Sequence, residues 1–111
     1  MTFRPLIALL FTASLAFGQD RLALTPTSTY PSAVLAVAIN KECSGVVVTK
    51  DVASAEYSLE AEMGFFDGDE ELVGLTLYAK NGDILFQQGR RNGLVVRRAI
   101  KRMCKSIGRA K

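Results

Sequence analysis

Two hydrophobic rhythms alternate along this chain. Over 56–63, "EYSLEAEM", apolar and polar side chains alternate without a slip, with Tyr57, Leu59, Ala61 and Met63 on one side and Glu56, Ser58, Glu60 and Glu62 on the other. A period of two is that of a strand with one wet face. Over 31–43, Leu35, Ala38, Ile39 and Cys43 recur at spacings of three and four, which places them on one helix face. Pro31 suits the first position of that helix, where its missing N–H is not needed, and Ser44-Gly45 ends it. A second helix is predicted over 92–107. Val96, Ala99, Ile100, Met103, Cys104 and Ile107 form its buried stripe, Asn92 its N-cap and Gly108 its close.

The remaining segments read as strands and turns. "DRLALT" at 20–25 is a short strand with Leu22 and Leu24 on one face, and "VVVT" at 46–49 is β-branched enough for a buried strand. "LVGLTLYA" at 72–79 presents Val73, Leu75, Leu77 and Ala79, and "ILFQQ" at 84–88 returns beside it. "PTSTYP" at 26–31 is turn chemistry, and "GFFDGDEE" at 64–71 is read as a loop. Lys80-Asn81-Gly82-Asp83 predicts a two-residue hairpin turn in which both central residues take positive φ. The order β-α-β-β-β-β-α implies an α+β two-layer sandwich. The first three elements form a crossover and the last three strands a meander, giving one mixed sheet with both helices packed on one face.

Length bounds the chain to one domain. Residues 1–18 have the pattern of a signal peptide. Arg4 precedes the apolar stretch "LIALLFTASLAF", and Ala16 and Gly18 are the small residues before a cut at Gln19. That stretch is shorter than the ~20 residues that span a bilayer, so no transmembrane span is expected after cleavage. Gln19 occupies the position where a lipid anchor would need cysteine. Residues 19–30 are an N-terminal segment with a short strand, and 31–111 a single α/β domain. The chain is expected to be exported, periplasmic or secreted, where cysteines pair.

Charge is segregated along the chain. From 90 to 111 there are nine Lys or Arg and no Asp or Glu, while 19–89 holds all 11 acidic residues and four basic ones. The basic positions Arg97, Arg98, Lys101, Arg102 and Lys105 share the outer side of the last helix and are the candidate anion-binding residues. The other reading of that helix is a solvated face whose charge balances the acidic strands. It has no aromatic residue to stack on bases, which weighs against nucleic acid as a partner.

Candidate chemistry narrows quickly. Histidine is absent, which removes Ser-His and Cys-His nucleophiles and the commonest transition-metal ligand. Two cysteines 61 positions apart are no zinc site. Both lie on apolar stripes, Cys43 four residues after Ile39 and Cys104 four after Ile100, and helices on one sheet face bring those stripes into one layer. A Cys43–Cys104 disulfide is therefore expected, stabilising by roughly 4 kcal/mol in the chain-entropy model. Two buried free thiols are the alternative. The acidic run "DGDEE" fails the calcium-loop pattern, because Leu72 and Tyr78 fall where Gly and Glu are needed. Phe65 and Phe66 beside it read as core or loop anchors, or as a contact surface if exposed. Glu60 and Glu62 read as solvated charges. No catalytic, cofactor-binding or metal-ligating set emerges.

The run "CSGVVVTKDVASAEYSLEAEM", then "YAKNGDILFQQ", then a helix ending "RMCKSI" resembles small exported bacterial domains of unknown function. In those, a helix ends in Cys, a strand with Ala-acid-Tyr follows, a Gly-Asp or Gly-Glu hairpin comes next, and a Cys-bearing helix closes the domain. Cys43, Ala55-Glu56-Tyr57, Asn81-Gly82-Asp83 and Cys104 take those places. The element order is also similar to the N-terminal domain of TolB and to envelope modules of the curli-secretion and peptidoglycan-synthase-activator type. The resemblance implies a non-enzymatic domain that binds another protein or an envelope component. A second expectation, from the charge, is an anion-binding module on anionic lipid or polysaccharide. An enzyme using carboxylates is the third and has no pocket signature behind it.

Overall fold

Five strands and two helices form in the order expected. In this computed structural model, residues 20–90 and 93–110 are described. The targeting segment, its cut before Gln19 and the N-cap at Asn92 lie outside the described residues. Strand β1 is Asp20–Leu24, helix α1 Ser32–Glu42 and β2 Val46–Thr49. Then follow β3 at Tyr57–Phe66, β4 at Asp69–Ala79, β5 at Ile84–Gly89 and helix α2 at Val96–Ala110. The sheet order is β2-β1-β3-β4-β5. β1 is parallel to both β2 and β3, and β3-β4-β5 is an antiparallel meander. Both helices pack on one face, giving the expected two-layer α+β sandwich.

The inner layer follows the two periodicities. Leu35 and Ile39 of α1, and Ala99, Ile100, Met103 and Ile107 of α2, join Leu22, Leu59, Ala61, Leu75 and Leu77 of the sheet in one buried cluster. Pro31 caps α1, its carbonyl accepting from the Leu35 N–H at 3.3 Å. Gly45, at φ 78, turns the chain out of the helix into β2, a conformation that costs a side-chain-bearing residue more. Cys43 and Cys104 form the disulfide, with Cα atoms 5.7 Å apart. It ties the last residue of the α1 stripe to the middle of α2.

β1 lies between β2 and β3, so the segment 20–30 is built into the sheet. The link 50–56 carries the chain from one side of β1 to the other. It holds a 3₁₀ turn, Val52–Ser54, which Asp51 caps by accepting from the Ala53 N–H at 3.2 Å. The Glu56 N–H then donates to the Arg21 carbonyl at 2.9 Å. Beyond Leu24 the run 25–30 continues along the edge of β3. Ser28 Oγ accepts from the Ala61 N–H at 3.1 Å, and Thr29 Oγ1 accepts from the Met63 N–H at 2.8 Å. Hydroxyls thus replace a backbone neighbour on a strand edge that would otherwise be open.

Five local expectations are corrected. The stretch 64–71 is not a loop. β3 and β4 stay paired to Phe66↔Asp69 and reverse through Asp67-Gly68, both at positive φ (53 and 83), a two-residue turn whose hand matches strand twist. The 80–83 connection is the looser one. Gly82 alone has positive φ there, with Gly82 N–H donating to the Ala79 carbonyl at 2.9 Å and Ala79 N–H to Asp83 at 2.8 Å, a three-residue connection with a bulge. Val73 is not on the apolar face. A bulge places Met63 opposite Leu72 and Glu62 opposite Gly74, so Val73 is extra, the phase shifts by one and Leu72 enters the core instead. The last helix begins at Val96 and not near 92, because Gly93 takes φ 96 and Leu94 docks on β4, its N–H donating to the Leu72 carbonyl at 2.6 Å. Gly108 lies inside that helix, which runs on to Ala110.

Candidate functional site

α1 and β2 together build an apolar recess. β2 is an edge strand, and among the described residues nothing pairs with its outer side. Its β-branched residues hold it extended, and the small residues Ala33 and Ala36 on the neighbouring turns of α1 leave a gap between helix and strand. One recess, of about 510 Å³, is lined by Leu24, Ser32, Ala33, Ala36, Val48, Thr49 and Lys50. A second, of about 370 Å³, continues it past Ala36 and Val48 to Val37, Asn40 and Val47. Sharing two residues, they make one groove along the length of β2, with a single charged side chain at its lip. Val37 is 68% exposed and Val47 38% exposed at its rim.

The predicted basic residues stand on the exposed side of α2. Arg97, Arg98, Lys101, Arg102 and Lys105 all face solvent, and Arg109, which the sequence reading did not single out, joins them. Arg97 Nε lies 3.9 Å from Glu42 Oε1 of α1. The two helices together carry seven Lys or Arg and one carboxylate, Glu42, whereas the strands and their connections carry the other ten acids. The charge segregation along the chain is therefore also a segregation between layers.

The acidic counterpart is the ribbon 64–71. β5 and its extension accompany β4 only to Leu72, and the 25–30 run accompanies β3 only to Met63, so beyond its base the ribbon has no hydrogen-bonded strand on either edge among the described residues. Phe65 is 69% and Phe66 42% exposed there, so they are not core anchors. Burial raises the Tyr30 hydroxyl above the usual tyrosine range, and the Glu71 and Glu70 carboxylates at the ribbon's base raise it further by opposing a second negative charge. Glu60 accepts from the Thr27 hydroxyl, and Glu62 is exposed on the strand face that neither helix covers.

Cys43 and Cys104 are consumed by the disulfide, and among the described residues no group of three or more His, Cys, Asp or Glu stands close enough to hold a metal ion. Among the described residues, too, no helix is long and apolar enough to cross a membrane. Sequence reasoning missed the groove, although a signal was present. "SAVLAVAI" is apolar around the whole helix and not only along one stripe, which calls for burial on more than one side.

The chain matches no protein-family model and no curated protein. Among solved structures it is similar to the crystal structure of TolB from Acinetobacter baumannii, with a TM-score of 0.53 and 12% sequence identity. The match covers 83% of this chain and 28% of that chain. At that identity the likeness is one of fold.

Proposed function

We propose that this chain is a non-enzymatic exported domain that binds an extended segment of another protein along the outer edge of β2. One observation carries the reading. β2 offers unpaired backbone donors and acceptors beside a wall of Ala33, Ala36 and Val37, so an added strand would gain main-chain hydrogen bonds while its alternate side chains enter the groove. The disulfide supports an oxidising compartment, and the TolB-like fold suits an envelope protein. None of the three recesses described brings together an acid-base pair in a water-excluding site: the third, on the open sheet face, holds Glu62 as its one ionisable group.

A photo-crosslinking amino acid placed at Val37 or Val47 in the exported chain tests this. Adducts to one partner should form at those two positions and not at Lys105 or Gln87, and Val48→Asp, which puts a charge into the groove, should abolish them. Equal labelling at all four positions, or adducts that survive Val48→Asp, would remove the groove from the function.

A further inference from the structure

α2 carries more like charge than a solvated helix needs. Arg97 and Lys101, Lys101 and Lys105, Lys105 and Arg109, and Arg98 and Arg102 each stand four apart, so each pair repels where a surface helix ordinarily alternates sign. Its first turn holds Arg97 and Arg98 and no acid, against the partial positive charge of a helix N-terminus. Among the described residues, a single carboxylate on the same side of the molecule relieves this, and only at Arg97. The one carboxylate of the helical layer, Glu42, has a side chain only 12% exposed and lies beside Arg97, and α1 adds another cation, Lys41. Local rules broken together, with one ion pair as the compensation among the described residues, point to a counterpart outside the fold.

The layout of the charges identifies that counterpart. Arg97 and Arg109 lie about 18 Å apart along the axis at 1.5 Å per residue, so the cations form a broad plane and do not converge on one phosphate. Val95, 59% exposed, immediately precedes α2. A basic helix face with an exposed apolar residue at its start is a composition that adsorbs to anionic lipid, and without aromatic residues α2 has nothing to stack on nucleic-acid bases. We infer that the outward side of α2 docks the domain on an anionic phospholipid surface. The two layers then fix the orientation: helices toward the lipid, and the sheet, which carries most of the acids, away from it.

Flotation of the full chain with vesicles tests this, comparing phosphatidylcholine alone with phosphatidylcholine plus phosphatidylglycerol. The apolar N-terminal stretch is common to every sample, so the readout is the difference between the two vesicle types. Binding should depend on phosphatidylglycerol and vanish near ~0.5 M salt. The Arg98→Glu, Lys101→Glu, Lys105→Glu triple variant should bind at least about 50-fold more weakly, while Arg98→Lys, Lys101→Arg, Lys105→Arg should bind as wild type does. If the glutamate variant fails to fold, the corresponding triple glutamine variant is read in its place, with the same expected loss. Equal binding to both vesicle types, undiminished binding by the charge-removed variants, or displacement from the vesicles by duplex DNA at matched phosphate would each overturn the proposal.

Discussion

α1 and α2 lie on the same sheet face and are joined by one disulfide, yet water treats them differently. α2 divides cleanly: Ala99, Ile100, Met103 and Ile107 are buried and its other side is charged. Its apolar stripe is covered within the fold. α1 buries Leu35 and Ile39 but leaves Val34 and Val37 in solvent, and carries no charge before Lys41. It is apolar on the outside as well as the inside. The contrast separates two kinds of surface. One is polar and carries the charge of the helical layer, and the other is apolar, as the proposed strand-binding groove requires.

The comparison can be broken at the tie itself. Replacing Cys43 and Cys104 together with Ser should cost about 4 kcal/mol, read as a lower urea midpoint, with wild type falling to the same midpoint when reduced. Next come the inner stripes. Leu35→Ala and Ile100→Ala, both at fully buried positions, should each cost about 2–5 kcal/mol in the same titration. A much smaller cost at Leu35 would show that α1 is not part of the core. The outer sides should then diverge. Arg98→Glu relieves a like-charge pair and the clash with the helix N-terminus, so it should raise stability by about 0.3–1 kcal/mol while weakening vesicle binding. Smallest of all, Val37→Glu should change stability by less than about 0.5 kcal/mol and still abolish cross-linking in the groove. If Val37→Glu destabilised the domain as Leu35→Ala does, the outward face of α1 would be core and not interface.

Both stripes, and the pairing of Cys43 with Cys104, were legible in the chain. A helix face is set by residues three and four apart, and two cysteines that end up in an oxidising compartment, as expected here, tend toward one bond. The candidate surface was only half legible. The basic residues of α2 announce themselves by composition, but the groove does not, because Val37 and Val48 belong to different elements and look like core in either one. The misreadings have the same origin. One extra residue at Val73 moves Leu72 inward, and a pattern of alternation cannot show where a ladder slips. Asp67-Gly68 was a turn signal in its own right, hidden by acidic neighbours that read as loop.

Local periodicity, charge and cysteine placement determined the element order, the inner faces and the two-layer class, because each depends on residues close in sequence or on composition alone. Tertiary structure decided the rest. It placed β1 between β2 and β3, left the outer edge of β2 unpaired beside α1, extended β3 and β4 into a projecting ribbon, and sorted cations and carboxylates onto opposite layers. Those features depend on which distant segments become neighbours, and a strand's hydrophobic pattern is the same whichever strand lies beside it.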